Sequence, residues 1–137
     1  MIDVIPVRDL DKMVTFYCEV FGCSELRRVE IPAELSRAIG VAPDGYVNVW
    51  LELPGGEVIK LVQPPVPPED NSAPDFFAAR TGIAYFTFFC ADIVEAVEKA
   101  EAFGATLASE RALLDQEGVK LGFLRDPEGN VFEFVQR

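Results

Sequence analysis

The sequence predicts an α+β fold made of two copies of one β-α-β-β-β module. Residues 54–63 match residues 127–136 position for position, at an offset of 73 residues (136 − 63). Two aspartates that cap predicted helices, Asp9 and Asp92, match at an offset of 83 residues (92 − 9). An insertion of ten residues (83 − 73) within residues 32–42 of the first copy reconciles the two offsets.

The first copy, residues 1–63, shows the elements of the module in order. Residues 2–7 are predicted as a strand, and Asp9 then caps a helix whose apolar residues recur at helical spacing up to Gly22. Residues 23–31 are predicted as a second strand, and Pro32 begins a short inserted helix. Residues 46–53 and 58–63 are predicted as a hairpin across a Pro-Gly-Gly turn.

The second copy repeats this order after a connector at residues 64–81. The connector holds five of the ten prolines, which favours an extended crossing over a strand or a long helix. The predicted elements that follow are a strand at 82–90, a helix at 92–103, and strands at 106–113, 119–124 and 131–136. Two such modules side by side would form a curved eight-stranded sheet around a cleft, with the helices on the convex face.

Composition limits the classes of function. A net charge of −11 disfavours nucleic acid and anionic membranes as partners. The chain has no histidine, which excludes Ser-His-Asp and Cys-His nucleophile systems. Its three cysteines are an odd number without Cys-x-x-Cys spacing, which indicates a reducing compartment. No apolar run approaches the ~18 residues that a membrane span needs, and no N-terminal signal pattern is seen, so a cytoplasmic protein is expected.

Side-chain alternation indicates which residues would line the cleft. In the last strand Phe132 and Phe134 would pack beneath the helix, which turns Glu133 toward the cleft. The repeat makes Lys60 the counterpart of Glu133, so a charge-assisted pair of the two is expected on the cleft floor. That pair is either a satisfied structural ion pair or one that orients a ligand or transfers a proton.

Other polar and aromatic side chains are predicted on the same faces. Tyr85 and Thr87 would supply hydroxyl groups, and a tyrosine can act as a proton donor. Trp50 is either a stacking surface for a planar ligand or part of the core. The candidate catalytic residues are Lys60, Glu133 and Tyr85, and the candidate ligand-binding residues are Ile2, Asn48, Trp50, Glu52, Thr87 and Phe89.

The sequence resembles the vicinal oxygen chelate superfamily, which comprises glyoxalases, bleomycin-resistance proteins and extradiol dioxygenases. The resemblance is carried by Ile-Pro-Val-Arg-Asp-Leu at 5–10, by Phe-Tyr at 16–17 and by Phe-Gly at 21–22. In the second copy it is carried by Ala-Asp-Ile at 91–93, by Phe-Gly at 103–104 and by the closing motif at 125–136. It covers nearly the whole chain apart from the insertion and the connector, and it implies the same tandem-module fold.

Metal-dependent members of this family place ligands at four equivalent strand positions, commonly two histidines and two glutamates. These positions fall here at Ile2, Lys60, Tyr85 and Glu133, and only the last matches. A slip of one residue would exchange Ile2 for Asp3. One or two carboxylates beside an ammonium group hold zinc, iron or manganese poorly, so we expect no metal and no other cofactor.

Two classes of function follow from the resemblance. The first is a metal-independent binding protein, similar to the drug-sequestering members, which holds a small planar or cationic organic compound in the cleft. The second is a metal-independent isomerase, cyclase or lyase that uses Lys60, Glu133 and Tyr85. A diverged metal-dependent glyoxalase or dioxygenase is a further alternative. The family also implies a homodimer, with or without exchange of modules between chains.

Overall fold

The computed structural model describes residues 1–70, 74–108 and 114–137. The chain divides into two units, Met1–Glu69 and Asp70–Arg137, and the boundary lies inside the proline-rich connector. Among the residues that the structure describes, no helix has the length and apolar character needed to span a membrane.

The first unit has the β-α-β-β-β order with a second helix inserted. Its strands form one sheet in the order β1-β4-β3-β2, in which β1 and β4 are parallel and the other neighbours are antiparallel. The inserted helix lies where the two repeat offsets placed the ten extra residues. The elements are β1 (Ile2–Pro6), α1 (Leu10–Phe21), β2 (Ser24–Ile31), α2 (Ala33–Ile39), β3 (Tyr46–Glu52) and β4 (Val58–Gln63).

Helix α1 packs against β4 and leaves the opposite face of the sheet uncovered by a helix of this unit. The Asp9 side chain accepts a hydrogen bond from the N–H of Lys12, and Gly22 ends the helix in the left-handed conformation at φ 71°. Met13 and Phe16 are almost fully buried on the sheet side of the helix. Burying a side chain of this size contributes roughly 1.5–3 kcal/mol, so this contact holds the helix on its face.

The second unit repeats the plan. Its sheet has the order β5-β9-β8-β6, with β7 also paired to β8, and β5 and β9 are parallel as β1 and β4 are. Helix α3 packs against β9 and β8, and Asp92 caps it by accepting hydrogen bonds from the N–H groups of Val94 and Glu95. The elements are β5 (Phe86–Cys90), α3 (Ile93–Ala102), β6 (Thr106–Leu107), β7 (Leu114–Gln116), β8 (Val119–Arg125) and β9 (Val131–Gln136), preceded by a 3-10 turn at Phe77–Ala79.

Two details differ from the prediction for the second copy. Strand β5 begins at Phe86, so Tyr85 precedes the strand. The additional strand β7 pairs with β8 across a turn in which Glu117 and Gly118 have φ values of 54° and 81°. Positive φ at two successive residues matches the twist of a tight hairpin, which the sequence prediction had not recognised. Of the predicted strand 106–113, residues 109–113 lie outside the described residues.

The closing motif folds as a turn around a buried carboxylate. Asp126 is 3% exposed, and its side chain accepts hydrogen bonds from the N–H groups of Glu128 and Asn130 and from the Asn130 amide. Buried carboxylates are tolerated when several donors satisfy them. The turn therefore fixes the start of β9, which carries Glu133.

Candidate functional site

The face of the first sheet opposite α1 carries the predicted polar and aromatic residues. In β3, Val49 and Leu51 are fully buried, whereas the alternate positions hold Asn48, Trp50 and Glu52. Trp50 and Glu52 are half-buried. Alternation along a strand therefore separates the core residues from this second face, which we call the open face.

A row of side chains crosses the open face of the first sheet. The strand register aligns Arg27 of β2 with Trp50 of β3, and Trp50 with Lys60 of β4. The Lys60 Nζ atom and the Arg27 Cζ atom each lie 4.0 Å from the centre of the Trp50 ring. One cation thus approaches the indole from each neighbouring strand, within the range of favourable cation–π interaction.

Neither cation in this row has a carboxylate partner within the first unit, all of whose residues are described. The next residue along β2, Arg28, shows the contrast, because it lies 3.1 Å from both Asp11 and Glu25. Arg27 is exposed and Lys60 is half-buried. The open face therefore presents positive charge around Trp50 in a chain of net charge −11, and the Glu52 carboxylate on the same face forms no ion pair with either cation.

Two buried polar atoms on the same face of β3 have no hydrogen-bond partner in the described part of the chain. They are Oδ1 of Asn48 and Nε1 of Trp50. Asn48 is only 9% exposed and precedes Trp50 by two residues on the same face of β3. Buried side-chain polar atoms are nearly always paired, so these two have unmet hydrogen-bonding capacity.

On the face of the second sheet opposite α3, which is the open face of that sheet, an equivalent row has a different charge. Phe123, at the Trp50 position of the repeat (123 − 50 = 73), pairs in register with Glu133, which pairs with Thr87. The Thr87 hydroxyl donates a hydrogen bond of 2.8 Å to Oε2 of Glu133. The Lys60 position of the repeat is thus a carboxylate that already accepts a hydrogen bond.

Three aromatic rings cluster beside Glu133. Tyr85 meets Phe123 edge to face at 5.1 Å between ring centres, and Phe77 lies 5.4 Å from Phe123. The Tyr85 side chain is 42% exposed. These offset and edge contacts are the preferred arrangements of aromatic pairs, so the cluster is a packed apolar surface with one phenol at its edge.

The structure places the predicted residues into two groups, one on each sheet. Asn48, Trp50 and Lys60 lie together, and so do Tyr85, Thr87 and Glu133. Sequence reasoning did not place Arg27, Phe77 or Phe123 among the site residues. The repeat itself signalled Phe123, because this residue matches Trp50 at the offset of 73. The ion pair of Lys60 with Glu133, which would join the two units, stays a prediction.

The remaining predicted ligand-binding residues lie at the margins. Ile2, 39% exposed, is on the edge strand and pairs with Val58, so Ile2 shares the face of Lys60, whereas Asp3 pairs with the buried Ile59. This register resolves the alternative between the two in favour of Ile2. Phe89 is exposed, but the Arg137 guanidinium covers its ring at 3.6 Å.

The residues at the family's four metal positions do not fit a transition metal ion. Ile2 has no donor atom, the Lys60 ammonium packs on an indole, and Glu133 is hydrogen-bonded to Thr87. Tyr85 is a phenol packed against Phe123. In residues 1–70, 74–108 and 114–137, no three His, Cys, Asp or Glu side chains come together as a metal site would require.

Two surface depressions lie at opposite ends of the β3–β4 hairpin in the first unit. One, of about 510 Å³, is lined by Tyr46 and Gln63 among others, and the other, of about 380 Å³, is lined by Glu52 and Gly56 among others. Trp50 and Lys60 line neither depression. The row around Trp50 is therefore separate from both.

Comparison with known proteins agrees with the fold. The profile of the Glyoxalase/Bleomycin resistance protein/Dioxygenase superfamily matches residues 3–134. A lactoylglutathione lyase of Arabidopsis thaliana is 31% identical over 134 residues, which are 98% of this chain and 42% of that protein. A Synechocystis protein named "Probable lactoylglutathione lyase" is 25% identical over 133 residues, 97% of this chain and 91% of that protein.

A solved structure supports the architecture. The crystal structure of a glyoxalase family protein from Bacillus cereus superposes with a TM-score of 0.82 at 22% identity, covering 98% of this chain and 90% of that one. The chain spans about two fifths of the length of the Arabidopsis relative. The family profile covers nearly all of the sequence, and the chain therefore belongs to the Glyoxalase/Bleomycin resistance protein/Dioxygenase superfamily.

Proposed function

We propose that the chain binds a small planar organic compound on the open faces of its sheets and that it does so without a metal ion. The observation that carries the proposal is the aromatic residue at the same repeat position in both units, Trp50 in the first and Phe123 in the second. Each lies beside the residue that stands at a metal position of the family, Lys60 or Glu133. Aromatic rings thus adjoin the positions where metal-dependent members have ligands.

The charges around the two aromatic residues favour some ligands over others. Arg27 and Lys60 both approach Trp50, so they would repel a cationic compound in the first unit. The rings of Phe77, Tyr85 and Phe123 form an apolar cluster that suits a flat ring, although Glu133 adjoins it and the Arg125 guanidinium lies 5.8 Å from the centre of the Phe77 ring. Of the two ligand classes expected from the sequence, the planar compound is therefore better supported than the cationic one.

The activity for which the relatives are named, lactoylglutathione lyase, is the competing hypothesis. If that reaction uses a metal ion at the family's four positions, Ile2, Lys60 and Tyr85 do not supply the ligands. The metal-independent enzyme alternative would require one substrate to reach Lys60, Glu133 and Tyr85 together. Tyr85 packs edge to face against Phe123, which supports a packing role for its ring.

A ligand screen tests the proposal directly. Trp50 is the single tryptophan of the chain, so its fluorescence reports on the first open face alone. Protein dialysed against a chelator would be titrated with planar aromatic compounds, and binding would be confirmed by calorimetry. We expect saturable binding with Kd in the micromolar range, about −8 kcal/mol, unchanged by added Zn²⁺, Ni²⁺ or Mn²⁺.

Matched variants localise the binding. Trp50→Leu and Phe123→Leu should each weaken it about tenfold, since a lost aromatic contact is worth roughly 1 kcal/mol or more. Phe103→Leu is the control, because Phe103 is partly exposed beyond the end of α3 and belongs to neither open face. Absence of saturable binding by any planar compound, or formation of lactoylglutathione by the metal-loaded protein, would overturn the proposal.

A further inference from the structure

The two cations around Trp50, Arg27 and Lys60, carry positive charge that an anionic ligand can neutralise. Only 12 basic side chains stand against 23 acidic ones in this chain, yet Arg27 and Lys60 have no carboxylate partner within the first unit. Both lie 4.0 Å from the same ring centre, which brings two like charges close together. An anion that reaches both cations at the edge of the ring would relieve this repulsion.

The unpartnered polar atoms supply hydrogen bonds at the same place. The Trp50 Nε1–H group is a donor only, so an acceptor must satisfy it. The Asn48 side chain is nine-tenths buried with its acceptor Oδ1 unpaired, and a half-turn of the amide places the NH₂ group, a donor, at the position of Oδ1. A donor-only N–H beside two cations is complementary to an oxyanion.

We infer that the open face of the first sheet binds the anionic group of a small planar organic acid. Arg27 and Lys60 supply positive charge, Trp50 Nε1–H and the Asn48 amide supply hydrogen bonds, and the planar part of the acid packs on the neighbouring sheet surface. This inference rests on the proposed function and narrows it to organic anions. Carboxylates and phosphate monoesters share the required chemistry.

Nuclear magnetic resonance of the indole N–H tests the inference at the atom concerned. A single tryptophan gives a single indole ¹⁵N–¹H cross-peak in the whole protein. The probes are benzoate, phenyl phosphate and the neutral benzamide. We expect both anions to shift this cross-peak downfield, as a new charge-assisted hydrogen bond would, and to bind at least tenfold more tightly than benzamide.

Neighbouring arginines provide a matched pair of variants. Arg27→Met and Arg28→Met remove the same charge from adjacent residues of β2, but only Arg27 contacts Trp50. Arg27→Met and Lys60→Met should each weaken benzoate binding about tenfold, whereas Arg28→Met should leave it within about twofold. The rest of the ¹⁵N–¹H spectrum shows whether each variant is folded. If Lys60→Met does not fold, Arg27→Met still tests the inference, because Arg27 is exposed and its replacement should not disturb the core.

The outcomes separate this inference from the proposed function. The inference is supported if benzoate binding weakens as salt is raised, because salt screens ion pairing, and if Arg27→Met and Lys60→Met weaken it while Arg28→Met does not. Equal binding of benzoate and benzamide, or equal loss in Arg27→Met and Arg28→Met, overturns the inference and leaves planar binding intact. If phenyl phosphate binds more strongly than benzoate, the anion is assigned as a phosphate monoester. If benzoate binds more strongly, the anion is assigned as a carboxylate. No binding by any probe or planar compound overturns both.

Discussion

Gln63 accepts a hydrogen bond of 3.0 Å from the backbone N–H of Leu10, the first residue of α1. The second unit repeats this contact, because Gln136 accepts a hydrogen bond of 3.0 Å from the N–H of Ile93, the first residue of α3. Both glutamines lie at the end of an inner strand of their sheet, β4 or β9. Each therefore satisfies one of the free N–H groups at a helix start and fixes that helix on one face of its sheet, leaving the other face open.

Replacing this glutamine should loosen the helix. Gln63→Leu removes the acceptor from a partly buried N–H, so we expect a loss of about 1 kcal/mol in the free energy of unfolding. Gln63→Glu keeps an acceptor and places negative charge at the helix N-terminus, so it should retain most of the stability at neutral pH. Urea denaturation measures both, and an unchanged midpoint for Gln63→Leu would show that the bond is not stabilising.

The duplicated plan was predictable from the sequence because its signals are local and occur twice. The caps at Asp9 and Asp92 and the matching strings at 54–63 and 127–136 fixed the order of the elements. Arg27 was not predicted as a site residue because its place beside Trp50 depends on the pairing of β2 with β3, which includes a register shift between Glu25 and Arg27. A non-local shift of this kind leaves no mark in the local pattern.

The thiol of Cys23 should make the protein less stable in alkali. Burial, with a smaller contribution from Cys18, raises the pKa of Cys23 to about 12. An unfolded cysteine loses its proton near pH 8.5, so the stabilising contribution of the neutral thiol is complete below that pH and is lost as the pH rises toward 12.

Denaturation between pH 8 and 11 tests this expectation. The free energy of unfolding should fall with pH, by up to about 1.4 kcal/mol per pH unit from this one thiol. Cys23→Ala should flatten the slope even though its small cavity lowers the stability overall. A slope identical in the wild type and the variant would exclude Cys23 as the cause.

A double-mutant cycle decides between two roles for Lys60. If Lys60 and Glu133 form a buried ion pair, Lys60→Met alone should cost about 3–5 kcal/mol, and Glu133→Gln should recover part of the loss. If Lys60 instead serves the anion site around Trp50, the two substitutions should be additive within about 0.5 kcal/mol. Our account of the open face predicts additivity, and a coupling energy above about 1 kcal/mol would favour the pair.

The absence of a metal site can be tested by restoring metal ligands at the four positions where metal-dependent members of the family have them. Purified protein should contain no stoichiometric zinc, iron, nickel or manganese by elemental analysis, because three of the four positions lack metal ligands. The triple variant Ile2→His, Lys60→Glu and Tyr85→His should gain affinity for these ions, since it recreates two histidines and two glutamates. Stoichiometric metal in the unmodified protein, removable by a chelator with loss of ligand binding, would refute the metal-free account.

The central claim is that the open face around Trp50 binds its ligand without a metal ion. Its most direct test is the indole ¹⁵N–¹H cross-peak of Trp50 in chelator-treated protein during a titration with benzoate. We predict a saturable downfield shift whose midpoint stays the same after Zn²⁺ is added. A cross-peak that does not move, or that moves only once Zn²⁺ is present, would contradict the claim.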